Sequence, residues 1–275
     1  MTLISAVLTL QPAEPATLPI YLGRATHAWF LDQVRSLDPA LADSLHAPNQ
    51  ERPFTISNLL GAARLPARPE VGSLAPDRLC FLRLTSYQPA LSALLEERLL
   101  PHLPETALLA GATFRVLGAT TDETQHAWAG RTTEQDLLLE QTLHGQPPAG
   151  LTMRFASPTV FRSQELLLPL PLPKLVFEGL VRRWNLFAPV ALPNEVVRFA
   201  EECVAISRHS LYTERVTFGG QGEHGAFPGF LGHVGYTFRV RDRYWMGLIH
   251  LLAKFSLYAG VGQRTTMGMG QARKG

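Results

Sequence analysis

Cysteine, lysine and charge are all scarce in this chain of 275 residues. The two cysteines, Cys80 and Cys203, lie inside apolar runs. Neither a disulfide framework nor a thiolate metal site is expected, and both read as small core residues. Charged residues make up 17% of the sequence and the net charge is only +2, so the chain as a whole does not announce a polyanionic partner. No run approaches the ~18 to 20 apolar residues that a membrane crossing needs. Residues 1–10 are apolar but lack a basic start and a small-residue cleavage site, so the expectation is a cytoplasmic protein without membrane contact. The absence of HxH, HExxH and Cys/His clusters disfavours zinc and two-metal nucleases. No Gly-Lys-Ser/Thr follows a glycine-rich loop and no serine nucleophile elbow occurs. The expected site therefore holds no metal and no cofactor.

What the sequence does contain is unevenly spread. Hydrophobic residues make up 46%, enough for a well-buried core. Residues 1–150 carry 10 Lys+Arg against 15 Asp+Glu (−5), whereas residues 151–275 carry 15 against 8 (+7). The C-terminal half is thus the electrostatic candidate for a polyanion. Of the 25 basic residues only Lys174, Lys254 and Lys274 are lysines. Arginine suits bidentate phosphate contacts and base stacking, although a GC-rich coding bias gives the same excess.

The first half reads as a strand at Leu3–Leu10, a helix near Tyr21–Leu37 with Phe30, Leu31 and Val34 buried, and a break at Asp38-Pro39. A short helical turn at Ala40–His46 and a strand at Phe54–Leu59 follow. Arg64–Pro76, rich in proline and arginine, reads as an exposed loop. A strand at Leu79–Tyr87, a helix at Pro89–Leu100 and a strand at Thr113–Ala119 complete βα–ββ–αβ, the ferredoxin-like order. Residues 126–149 read as a connector, with Thr132-Thr133-Glu134 opening a short helix. From Leu151 the coarse order repeats without sequence similarity. It runs through a strand at Leu151–Ala156, helices at Lys174–Phe187 and Asn194–Glu202, and strand character at Val204–Phe218 and Phe230–Arg241.

The most informative stretch is Gly229–Gly270, GFLGHVGYTFRVRDRYWMGLIHLLAKFSLYAGVGQRTTMGMG. Tyr236, Phe238 and Val240 alternate as one face of a strand. Leu248, Leu251, Leu252 and Phe255 fall at i, i+3, i+4 and i+7 of a helix spanning Tyr244–Tyr258. A glycine loop follows, with Gly260, Gly262, Gly268 and Gly270 around Gln263, Arg264, Thr265 and Thr266. Glycines let a backbone approach a bulky anion, arginine brings a fork of donors and threonines bring hydroxyls. That chemistry suits a phosphate backbone. The loop follows a helix rather than joining a strand to a helix, so it is not a dinucleotide fingerprint. The plain alternative is a C-terminal turn.

Taken whole, this stretch resembles the C-terminal signature of the CRISPR-associated precursor-RNA processing endoribonucleases of the RAMP superfamily, down to AGVGQRTTMGMGQAR. PLPKLVFEGLVRRWNLF (Pro171–Phe187), AISRH (Ala205–His209) and RPFTISNLLG (Arg52–Gly61) extend the resemblance over nearly the whole chain. It implies an α+β fold of two tandem ferredoxin-like (RRM-like) domains, each a β-sheet with helices on one face. The expected divisions are 1–125, a connector at 126–149, and 150–275. The implied partner is CRISPR repeat RNA, the precursor of guide RNA. Other CRISPR effector subunits and a homodimer are compatible with the family.

The resemblance further implies metal-independent cleavage by the 2′-hydroxyl beside the scissile phosphate, leaving a 2′,3′-cyclic phosphate and a 5′-hydroxyl. Such chemistry needs a base, an acid and positive charge at the phosphorane. The family places its catalytic histidine in or just after the first helix, where His27 and His46 lie. The assignment is His46 as base or acid, His27 as its partner and Arg24, one turn from His27 at i and i+3, as charge stabiliser. The alternatives are a helix-boundary histidine, a loop histidine and a solvated arginine. His250 reads as buried structure and His209 as a strand residue. His224 and His233 flank a glycine-rich segment, while His102, His126 and His144 have no companions. Lys174, Arg182 and Arg183 on one helix are further candidates for RNA contact, against a solvated helix face.

Two rival functions stand beside the enzyme. One is a non-catalytic RAMP subunit that binds guide RNA, which the glycine loop would serve equally. The other, a generic protein with two RRM-like domains, is disfavoured because no RGFGFV-like aromatic run is found.

Overall fold

A computed structural model describes residues 1–47, 50–65, 68–140, 146–217 and 226–275. Phe218, His144 and His224, named above, lie outside the described residues. The N-terminal half runs β1 (Thr2–Pro12), β2 (Ala16–Pro19), α1 (Gly23–Leu37), α2 (Pro39–His46), β3 (Phe54–Ile56), β4 (Ala63–Leu65), β5 (Arg68–Leu74), β6 (Cys80–Ser86), α3 (Pro89–Leu94), β7 (Thr106–Leu109), β8 (Ala112–Thr120), β9 (Gly130–Thr133) and α4 (Glu134–Leu138). Its main sheet has the order β3-β6-β1-β8-β7, with antiparallel neighbours. Ile4, Ala6, Leu8 and Leu10 alternate onto the face that α1 and α3 cover with Phe30, Val34, Leu91 and Leu94. Asp38 ends α1 and caps α2 by accepting from the Leu41 N–H at 2.9 Å.

The second half repeats the plan with β10 (Gly150–Thr159), β11 (Phe161–Ser163), β12 (Leu166–Leu168), α5 (Pro173–Phe187), α6 (Glu195–Cys203), β13 (Val204–Val216), β14 (Phe227–Phe238), α7 (Arg243–Ala259) and β15 (Ala272–Lys274). Its sheet is ordered β13-β14-β10-β15 and is antiparallel throughout. Phe177, Leu180 and Trp184 of α5 and Leu251, Leu252 and Phe255 of α7 share one core with Met153, Phe155, Val234 and Tyr236 of the sheet. Both halves thus have the ferredoxin-like strand order read from the sequence.

Several local expectations change. Most of Arg64–Pro76 is not a loop. β5 pairs with β2 on one side and β4 on the other in a small sheet of its own. The last strand before α7 ends at Phe238 rather than Arg241. Tyr236 and Phe238 are buried, but Val240 lies half exposed beyond it. β7 was not foreseen. Residues 130–133, within the segment expected to connect the halves, pair with residues 2–5 of β1.

The halves are joined through α7. Its residues from Met246 to Leu252 are buried all round, because one side packs on its own sheet and its last turn reaches the second face of the N-terminal sheet, where Ser5, Arg83 and Thr85 point. Arg83 Nη1 donates to the Leu257 carbonyl at 2.7 Å and Thr85 Oγ1 to the Tyr258 carbonyl at 2.6 Å. Arg183 Nη1, from α5, donates to the carbonyls of Ala259 at 3.1 Å and Gly260 at 2.8 Å. A helix leaves its last four carbonyls without intrahelical partners, at the negative end of its dipole. Here a run of consecutive carbonyls is met by two cations and a hydroxyl.

Candidate active site

Beyond Ala259 the chain turns into the N-terminal half. The loop passes Arg264, which has left-handed φ (+55°), and a single 3-10 turn at Thr265–Met267. The Gly268 N–H donates to the Ile56 carbonyl at 3.0 Å and the Gly270 N–H to the Pro158 carbonyl at 3.0 Å. The closing residues of the loop are therefore tied to both halves, Gly268 to the N-terminal one and Gly270 to the C-terminal one. The loop is packed rather than open. At Gly270, φ is +67° and an added Cβ would stand 2.1 Å from the Val261 carbonyl oxygen, so glycine is required for closure of the loop on itself. Thr265 and Thr266 are buried, Gln263 and Gly262 half-buried, and Arg264 exposed. The surface this loop offers to a ligand centres on Gln263 and Arg264.

The loop lands on the start of α1. Gly23 packs against Met267, and His27, one turn further on, is 9% exposed. Its Nδ1 lies 3.0 Å from the Thr266 carbonyl oxygen and its ring stacks on Phe54 with centroids 5.9 Å apart. A carbonyl only accepts, so Nδ1 carries the proton of the neutral ring and the lone pair is on Nε2. Burial first, then the charge of Arg52, push the His27 pKa from 6.5 down to about 4, the Thr266 bond opposing and His46 adding slightly. At neutral pH the ring is a neutral base with its tautomer set by the glycine loop.

His46 closes α2, is exposed, and acts electrostatically on His27. Arg24 is exposed on α1. Arg264 faces it across the loop, its guanidinium 4.0 Å above the Phe227 ring and its pKa lowered by burial and by the Arg24 charge. Two guanidiniums held this near one another favour an anion between them. Arg52, which the sequence reading passed over, donates through Nε to the Leu45 carbonyl at 3.1 Å and lines the same cleft. It sits in the quoted RPFTISNLLG stretch, but no spacing rule ties it to a histidine on another helix.

The cleft, about 380 Å³, is bounded by Glu51 and Arg52 on one side, Arg182 and Arg183 on another and the loop from Gly262 to Met267 on the third. The candidates on α5 separate here. Arg182 is exposed and pairs with Glu51 at 3.1 Å. Arg183 is 4% exposed and committed to protein acceptors, so it cannot also serve a phosphate. Lys174 points away, paired with Glu201 of α6 at 2.9 Å. His250 is buried, with Nε2 3.0 Å from the Pro148 carbonyl oxygen, and His209 is exposed on β13. A larger cleft, about 690 Å³, lies between Asp122 and Lys274 with charges of both signs and no histidine.

The family model described as CRISPR Cas6 N-terminal domain matches residues 3–138, and that of the CRISPR-associated endoribonuclease Cas6 matches residues 153–272. No curated protein matches the chain. Among solved structures, a Cas6 product complex is similar with a TM-score of 0.78 at 27% identity, covering 100% of both chains. A Cas6 substrate mimic complex is similar with a TM-score of 0.72 at 26% identity, again over 100% of both chains. Thermus thermophilus Cas6 is similar with a TM-score of 0.72 at 25% identity, covering 99% of this chain and 98% of that one. Two family models that succeed one another along almost the whole sequence, and likeness at full length to solved Cas6 structures, give one answer: the chain belongs to the family of CRISPR-associated Cas6 endoribonucleases.

Proposed function

We propose that this endoribonuclease cuts CRISPR repeat RNA without a metal ion, with His27 as general base, His46 as general acid and Arg24, Arg52 and Arg264 as the charge that meets the phosphate. The observation that carries the reading is the bond between His27 Nδ1 and the Thr266 carbonyl, which leaves Nε2 as the proton acceptor. Nε2 takes the proton of the 2′-hydroxyl. The 2′-oxygen attacks phosphorus, and the bond from phosphorus to the 5′-oxygen breaks. The leaving oxygen takes its proton from His46, giving a 2′,3′-cyclic phosphate and a 5′-hydroxyl. The low pKa of the free site is that of an unliganded pocket. A bound phosphate opposes the Arg52 charge and raises the His27 pKa toward the working pH, where a base works best.

Cleavage of a labelled repeat RNA in EDTA, alongside the same RNA with a 2′-deoxy sugar at the cut site, tests the chemistry. Cutting in EDTA that the deoxy sugar abolishes is the expected result. Cutting that needs a divalent cation would overturn the metal-independent reading. Tight binding with no cutting under any condition would favour a subunit that only carries RNA. Binding offers a second test. Arg264→Ala removes one phosphate contact, so it weakens binding of repeat RNA at every salt concentration and reduces the slope of log affinity against log salt by about 0.7 to 1. An unchanged slope would remove Arg264 from the interface.

A further inference from the structure

A carboxylate is out of place in a cleft built for a polyanion. Glu51 stands among Arg52, Arg182 and Arg183, where its charge cancels part of the attraction for RNA. Burial pushes its pKa up, but the guanidiniums of Arg183 and Arg182 outweigh this and hold it below the usual range. It is therefore ionised in the native site. Its partners indicate what it does there.

We propose that Glu51 and Arg183 are positioning residues that set His27 from the C-terminal half. Arg183 Nε donates to Glu51 Oε1 at 2.7 Å. The two remaining nitrogens of the same guanidinium gather the loop. Nη1 reaches the Ala259 and Gly260 carbonyls, and Nη2 reaches the Gly262 carbonyl at 2.7 Å. Gly262 lies four residues before Thr266, whose carbonyl fixes the His27 tautomer. On the other side Glu51 adjoins Arg52, the charge that acts most on His27. One buried guanidinium thus braces the loop that orients the imidazole, and its carboxylate partner anchors the residue that precedes Arg52 in the chain. Both lines of action end on the same ring. Glu51 touches no reacting atom in this arrangement. Its negative charge is tolerated because it orders two arginines and the start of the RPFTIS segment.

This inference rests on His27 as base, and a double-mutant cycle separates the two. Glu51→Gln keeps the size of a partly exposed side chain but removes its charge and replaces one of the two acceptor oxygens with an NH2 group that only donates, so it can no longer accept from both arginines. Single-turnover cleavage with saturating repeat RNA, RNA affinity and melting temperature are measured for wild type, Glu51→Gln, His27→Ala and the double variant. The expected result for Glu51→Gln is a cleavage rate reduced about 10-fold or more, affinity equal to or tighter than wild type, and little change in melting. The double variant should be no slower than His27→Ala alone, since residues acting through one group are not additive. Additive losses, a wild-type rate for Glu51→Gln, or a fall in stability with no change in rate would each overturn the relay. A wild-type rate for His27→Ala would remove the base itself, and the relay with it. Arg183→Lys, which keeps the charge but not the fork of donors, should cleave faster than Arg183→Met at equal folded fraction. NMR of the His27 ring nitrogens should show the Nδ1–H form weakened in Glu51→Gln, a change that a purely stabilising ion pair would not produce.

Discussion

His27→Ala slows single-turnover cleavage of bound repeat RNA by roughly 10² to 10⁴-fold, the usual contribution of a positioned general base, and leaves RNA affinity nearly unchanged. The ring is buried, stacked on Phe54 and bonded through Nδ1, so truncation removes the one atom, Nε2, that can accept the proton. The arginines proposed to meet the phosphate, Arg24, Arg52 and Arg264, remain on three separate segments. A rate equal to wild type would transfer the base role to His46. The same substitution carries a stability signature. A histidine whose pKa falls from 6.5 to about 4 on folding binds fewer protons in the native state between those values. Its contribution is therefore fully present above pH 6.5 and is lost as the pH drops through that window toward 4. Thermal melts of the RNA-free protein at pH 7 and pH 5 should show a smaller acid-induced drop for His27→Ala than for wild type.

Gly23→Ala lowers the melting temperature and slows cleavage about 10²-fold, the opposite of what helix propensity alone predicts. Within a helix, alanine is better than glycine by roughly 0.5 to 1 kcal/mol. Here the added Cβ would stand 1.9 Å from the Met267 carbonyl oxygen. The obstacle is backbone, so no rotamer change relieves it. The start of α1 and the loop must part by roughly 1.5 Å to restore an ordinary contact. Overpacking of this kind costs about 1 to 3 kcal/mol, enough to reverse the propensity gain. Parting also draws the Thr266 carbonyl off His27, and a displacement of about 1 Å can cost ~10² in rate. Calorimetry and single-turnover assays on the folded variant check both effects. A raised melting temperature with full activity would mean that the loop does not press on α1.

The elements that sequence periodicity captured are those whose pattern is local and long. Phe30 and Val34 of α1, and Leu251 and Phe255 of α7, announce a buried face within a few residues of one another. β4, β5 and β7 were missed because they are short and β5 is broken by proline and glycine, so pairing rather than composition makes them strands. β9 pairs across more than a hundred residues of chain, a separation that no window detects. The site was legible as a neighbourhood. The His46 charge acts on His27 and the Arg24 charge on Arg264, but the roles within the site depend on contacts distant in sequence. Arg182 and Arg183 are adjacent letters. A turn of about 100° between neighbours on a helix sends one to solvent and the other under the loop. The glycines of the loop suggested a cradle for phosphate because their chemistry allows it. What decides their use is the Val261 carbonyl against Gly270, Asn58 against Gly268 and Val160 against Gly262, none of which can be read from glycine spacing.

The shared capture of the α7 carbonyls has a consequence for how the molecule comes apart. Arg83 and Thr85 belong to one half and Arg183 to the other, yet all three terminate the same helix. Separating the halves takes the Leu257 carbonyl and the Gln271 side-chain oxygen from Arg83 and the Glu51 carboxylate from Arg183, and uncovers a polar sheet face, so the two ferredoxin-like units should melt together. They form a single cooperative block. α7 and the glycine loop are translated after every element they fasten, so the N-terminal sheet waits on the ribosome with one face wet until they arrive.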